Sequence, residues 1–129
     1  MALDPAALPA EVLSFLIDRH LATLTTLRPD GTPHVVAIGF SWDDEAGLVR
    51  VITNGSSRKA AHVRAGSRGV VAQVDGVRWL ALEGTAVVSD DADRVAEGVR
   101  RHALRYRQPA VNPQRVVIEI AVDRVLGRG

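Results

Sequence analysis

The chain has 129 residues, 47% of them hydrophobic and 24% charged, and its 16 basic and 15 acidic side chains leave a net charge of +1. That length carries one packed domain over residues 1–129, and so even a charge balance gives no electrostatic case for nucleic acid or an acidic surface as partner. With no cysteine in the chain, disulfide and thiolate chemistry are excluded. No apolar run approaches the roughly 18 residues of a membrane span. The N-terminal stretch carries Asp4, Glu11 and Asp18 without a basic leader, so the expectation is a soluble, cytoplasmic protein.

The stretch "PAEVLSFLIDRH" puts Val12, Phe15, Leu16 and Arg19 at helical spacing behind Pro9, which predicts an amphipathic helix of about three turns. "LATLTTL" (Leu21 to Leu27) alternates and reads as a strand. "RPDG" is a hairpin turn in which Pro29 sets the bend and Gly31 accepts positive φ. The return strand is "PHVVAIGFSW", Pro33 to Trp42, followed by the turn "DDEAG" and a third strand, "LVRVIT", Leu48 to Thr53. A short helix from Arg58 to about Ala65 is capped by Ser57. "GVVAQVD" and "VRWLALEGTAVV" form a second hairpin about Asp75-Gly76, a strong hairpin signal. "DDADRVAEGVRRHALRYRQ" is a polar helix of about four turns opened by acids, and "QRVVIEIAVDRVLG" is the closing strand. The result is a mainly β fold of six antiparallel strands with about three flanking helices. Hairpin connections argue against a parallel sheet, and strands this short bury their apolar face by curling into a barrel.

The corner between the third strand and the second helix, "TNGSSRKA", gathers the chain's chemistry. Ser57 brings a hydroxyl, Arg58 a bidentate fork and Lys59, the only lysine among the basic residues, a compact ammonium. Together they suit a phosphate group. The bland alternative is that Ser57 is only an N-cap and both cations are solvated. Asn54-Gly55-Ser56 matches a glycosylation sequon but reads as a turn.

At these residues the chain resembles the split β-barrel flavoproteins, the fold of pyridoxamine 5′-phosphate oxidase. "Thr53-Asn54-x-x-Ser57-Arg58-Lys59" resembles their phosphate-binding motif, and "LATLTTLRPDGTPHVVAIGF" their first hairpin. The end, "VDRVLGRG", departs from the oxidases, which carry an Arg-Leu-x-Pro stretch for their vitamin substrate. In detail the sequence is similar to the F420-dependent biliverdin reductases of actinobacteria. The resemblance implies coenzyme F420 as cofactor, with FMN as the alternative. It implies a homodimer with the cofactor in the groove between subunits. On that reading Ser57, Arg58, Lys59 and Ala60 hold the phosphate, and Pro33, His34, Val35, Val36 and Ala37 lie along the ring system. Thr53 and Asn54 reach the polar edge of the ring, while Gln73 and Trp79 approach from the neighbouring side. Reduced F420 donates a hydride to biliverdin or another planar conjugated acceptor; no catalytic residue is assigned, because the cofactor carries the chemistry. A non-catalytic barrel that holds F420 or a tetrapyrrole is the reading from another class.

His20, His34, His62 and His102 show no metal-ligand spacing. Trp79 either stacks on a flat ligand or packs in a core or interface. Arg94, Arg100, Arg101, Arg105 and Arg107 either receive carboxylates of a tetrapyrrole or of F420, or form a solvated helix face beside Asp90, Asp91, Asp93 and Glu97. Glu83 and Glu119 interrupt apolar strands as partners for buried arginines.

Overall fold

A computed structural model describes residues 2–128. The elements in order are β1 (Ala2–Leu3), α1 (Ala10–Ile17), β2 (Ala22–Leu27), β3 (Pro33–Ile38), β4 (Ser41–Asp43), β5 (Leu48–Asn54), α2 (Arg58–Arg64), β6 (Gly69–Asp75), β7 (Arg78–Ser89), α3 (Ala92–Arg105) and β8 (Arg115–Arg128). The strands form one antiparallel sheet in the order β3-β2-β6-β7-β8-β5-β4, with β1 added to β8. The expected hairpins β2–β3 and β6–β7 are present, in the registers Thr25↔Val35 and Ala72↔Ala81.

Two expectations change in detail. The strand foreseen over residues 33–42 is broken at Gly39-Phe40 into β3 and β4, and β1 is an added two-residue strand. The break is where the barrel is split: β3 and β4 are the two ends of the hydrogen-bonded path, yet they follow one another in the chain. Tyr106 enforces it from a distance. Its hydroxyl accepts a hydrogen bond from the Phe40 backbone N–H at 3.2 Å and donates to the His20 carbonyl at 2.6 Å. A side chain at residue 39 would meet the Tyr106 ring at 3.0 Å, so Gly39 is what lets that ring lie against the strand.

The core follows the alternation of the strands. Leu24, Val49, Val51, Val71, Leu80, Leu82, Ile118 and Ile120 point inward, and α1 closes one end with Val12, Phe15 and Leu16. Burying side chains of this size stabilises by about 1.5–3 kcal/mol each. β8 is buried on both faces from Val116 to Ile120 because α3 covers its outer side. Gly98 permits that approach: a Cβ there would lie 3.0 Å from Val117 and 3.1 Å from Ile52. Between α3 and the sheet runs an ionic seam. Arg50 pairs with Asp43 at 2.8 Å and lies 3.6 Å from Glu119, Arg94 reaches Glu119 at 2.9 Å, and Arg101 bridges Asp43 at 3.1 Å and Glu97 at 2.7 Å. No helix among the described residues is long and apolar enough to cross a membrane.

Candidate functional site

The β5–α2 corner is built by its own short side chains. The Asn54 carboxamide oxygen accepts from the Ser56 N–H at 3.0 Å and the Ser56 hydroxyl at 2.8 Å, which turns the chain out of the strand. Ser57 caps α2, its Oγ accepting from the Ala60 N–H at 3.3 Å. Arg64 closes the loop from behind by donating to the Gly55 carbonyl at 2.7 Å. Arg58 is thereby left exposed, Lys59 and Ser57 half-buried and Ala60 fully buried.

The first hairpin is packed against this corner. Thr26 of β2 shares a 2.8 Å hydrogen bond with Nδ1 of the buried His62 on α2. His62 in turn meets His34 of β3 edge to face, ring centroids 4.9 Å apart. His34 Nδ1 is buried and has no hydrogen-bond partner. Burial is the first cause holding the His34 pKa below its ordinary value, followed by the charges of His62, Arg28, Lys59 and Arg58. The fold has therefore gathered His34, His62, Arg28, Arg58 and Lys59 from a strand, a turn and a helix. Burial alone also pushes the Lys59 ammonium down.

The charge here is uncompensated. Arg50, Arg68, Arg78, Arg94, Arg100 and Arg101 all lie within 4 Å of a carboxylate. Among the described residues Arg28, Arg58 and Lys59 have no such partner, as is true of several other arginines, but these three gather around His34; the Arg28 guanidinium donates to the Pro33 carbonyl. Asp30, in the same turn, is occupied by the Thr32 N–H and hydroxyl at 3.0 and 2.6 Å. Three cations, one of them the half-buried Lys59, and an idle imidazole nitrogen fit a phosphate, which supplies negative charge and acceptor oxygens. A cavity of about 280 Å³ opens next to the cluster between the 28–31 turn and the end of α2, with His62 in its wall.

The remaining expected residues divide into those near this corner and those elsewhere in the chain. Pro33, Val35 and Ala37 lie on the exposed side of β3, with His34 and Val36 on the half-buried side. β3 is a sheet end, so one edge of its backbone is open. Thr53 and Asn54 end β5 at the corner, half-buried. Gln73 is elsewhere: it is 1% exposed, donates to the Phe15 carbonyl at 2.8 Å and accepts from Arg105 at 2.6 Å. Trp79 pairs with Val74 at the far end of the β6–β7 hairpin from α2, 38% exposed.

The arginines of α3 are engaged within the chain. Arg94 holds Glu119, Arg100 and Arg101 hold Glu97, and Arg105 donates to the carbonyls of Asp18 and Phe40. Arg105 also lies over the Phe40 ring at 4.6 Å. Glu119 is, as anticipated, the partner of a buried arginine; Glu83 sits 3.5 Å from the more exposed Arg68. Sequence reasoning passed over Thr26, Arg28 and His62 as site residues. The signal for His62 was its place three and four residues beyond Lys59 and Arg58, which puts all three on one side of α2.

Residues 8–129 match the family described as pyridoxamine 5′-phosphate oxidase. The chain is 53% identical over 117 residues, 91% of its length and 85% of the relative's, to the F420H(2)-dependent biliverdin reductase of Mycobacterium tuberculosis (strain CDC 1551 / Oshkosh). Among solved structures it resembles an F420 reductase, with 25% identity, a TM-score of 0.75 and coverage of 92% of this chain and 98% of that one. The General Stress Protein 26 of Bacillus anthracis str. Sterne shares the fold at 20% identity and a TM-score of 0.73, over 92% and 91% of the two chains.

Proposed function

The chain belongs to the pyridoxamine 5′-phosphate oxidase family, and from that premise we propose that it is an F420H2-dependent reductase acting on biliverdin. The observation that carries the reading is the 53% identity, over nearly the whole of both chains, to a reductase of that description. When bound, reduced F420 supplies a hydride, and the acceptor carbon is the central methine bridge of biliverdin, giving bilirubin once a pyrrole nitrogen has gained a proton.

What this chain's residues contribute is binding and orientation. Arg58, Lys59 and the Ser57 hydroxyl neutralise and grip the phosphate, with Ala60 packed beneath them. The exposed side and open edge of β3, Pro33 to Ala37, offer a flat bed for a ring system. Thr53 and Asn54, which end β5 at the corner, are in this reading the groups whose hydrogen bonds tune a flavin-like ring. Trp79 is too far along its hairpin to join the same corner, so in this reading it serves the site of a second subunit.

A homodimer is part of the proposal. The outer faces of β2, β3, β6 and β7 carry a row of small side chains, Ala37, Thr23, Ala72 and Ala81, flanked by the apolar Val35, Val74 and Trp79. Val35 is 57% exposed and Val74 67%, an apolar patch that a second copy would cover.

The test is anaerobic: purified protein, reduced F420 and biliverdin, with cofactor and bilin spectra followed together. Equimolar cofactor oxidation and bilirubin formation is the expected result. Bound F420 with untouched biliverdin would reject the acceptor. Failure to bind F420 while FMN binds would reject the cofactor. In the same assay Arg58→Ala and Lys59→Ala should each weaken cofactor binding by about 1.5–3 kcal/mol, the size of a hydrogen bond to a charged group. Unchanged affinity in both would remove the phosphate from this corner.

A further inference from the structure

We propose that His34 is a proton-accepting positioning residue whose imidazole becomes charged when a phosphate group occupies the Ser57–Lys59 corner, so that ligand binding takes up a proton from solvent. The inference rests on the phosphate reading of that corner.

The observation behind it is the buried Nδ1 of His34, which has no partner, in a ring contact with His62 of α2 and beside the cations Arg28, Arg58 and Lys59. A buried nitrogen left unpaired costs about 1–3 kcal/mol, and such a vacancy is tolerated where something else completes it. The groups facing His34 can be taken element by element. From α2 come His62, Arg58 and Lys59; from the turn before β3 comes Arg28. The Asp30 carboxylate of that turn is committed to Thr32. His62 has its own Nδ1 tied to Thr26, so it cannot relieve His34 through that atom. In the free protein burial, and after it the charges of His62, Arg28, Lys59 and Arg58, hold the His34 pKa below its ordinary value, so the ring is neutral at neutral pH.

A phosphate between Arg58 and Lys59 reverses that field. It brings negative charge to the side of α2 that His34 meets through His62 and cancels the repulsion from the two cations. The proton comes from solvent, the neutral ring becomes imidazolium, and no other bond changes. The His34 pKa then rises on binding. By linkage, affinity increases as pH falls through the bound-state pKa and levels off below the free-state value.

The experiment is calorimetric titration of F420, and separately of FMN, into the whole protein at pH 7 in two phosphate-free buffers of different ionisation enthalpy. The difference between buffers counts the protons taken up. F420 binding with fractional-to-single proton uptake, abolished in His34→Gln, supports the inference and the functional reading together. F420 binding without uptake, or with uptake that survives in His34→Gln, overturns the inference and leaves the cofactor assignment standing. FMN binding alone, with uptake lost in His34→Gln, supports the inference and overturns the F420 reading. Binding of neither overturns both. Should His34→Gln fold poorly, the ¹⁵N shifts of the His34 ring in the parent protein give the same answer. They should move from neutral to imidazolium values on saturation, and shifts that stay neutral overturn the inference. A residue that only filled space would leave both proton count and ring shifts unmoved.

Discussion

Gln73 and Arg105 hold three elements together at one point. The Gln73 amide donates to the last-turn carbonyl of Phe15 in α1 and accepts from Arg105 of α3, which also binds the carbonyls of Asp18 and Phe40. Gln73→Leu should leave a buried carbonyl and a guanidinium N–H without partners and lower unfolding stability by about 2–4 kcal/mol, read by urea denaturation. Cofactor affinity should be unaffected; if affinity falls while stability holds, Gln73 touches the ligand instead. The inward direction of Gln73 was legible in its strand, because it alternates in phase with Val71. What it meets there was not, since both partners lie far away in sequence. The same division holds at the corner. Ser57, Arg58 and Lys59 were readable from local spacing, whereas His34 and Arg28 join them only through the packing of the first hairpin.

At the scale of elements, the long pair β7–β8 needs its glycines. The register between them shifts at Glu83/Gly84, and a Cβ at Gly84 would lie 1.9 Å from the Ala121 carbonyl oxygen. Gly127 adopts φ +132° with the Trp79 carbonyl oxygen 2.1 Å from where its Cβ would be. These are the places where the sheet coils tightly enough to become a barrel. Gly84→Ala should therefore destabilise by more than about 3 kcal/mol or prevent folding, seen as a lost thermal transition; a Tm within a few degrees of the parent would show that the bulge can relax. Hairpins with Pro-Asp-Gly or Asp-Gly turns were legible because the turn chemistry is local. The break of the 33–42 segment was not, because Tyr106 imposes it from across the molecule. Nor was β1, whose two residues gain their strand character only from β8.

The molecule as a whole should be most stable near neutral pH and lose stability to acid in two stages. His34 and His102 are held below their ordinary 6.5, first by burial. Their unfolded forms therefore take up protons first, and stability falls as pH drops below about 6.5. Hydrogen bonds from Arg100 and Arg101 hold the Glu97 pKa at about 2, against an ordinary 4.5. Asp43, despite a burial penalty, is lowered by Arg50. Their contribution is present above about 4.5 and disappears towards pH 2. Urea midpoints measured from pH 7.5 to 2.5 should decline in that order; a profile flat to pH 3 would mean that the seam under α3 is not coupled to folding. The proposed dimer is tested separately: with the outer face that carries Val74 as its interface, the parent should sediment as a dimer and Val74→Glu as a monomer, and an unchanged mass would locate any interface elsewhere.

The position of β8 in the sheet has a consequence for how the protein is made. It lies between β7 and β5 and also carries β1, so segments synthesised early are joined through one synthesised late. While residues 115–128 are still inside the ribosome, the β3-β2-β6-β7 and β5-β4 parts have no strand to connect them. The inward faces of Val49, Val51, Leu80 and Leu82 then stay open to water and to other chains. The nascent polypeptide cannot settle stepwise from its N-terminus; it must wait, and a chaperone that shields that half-built sheet would have most to do in the interval before the last strand emerges.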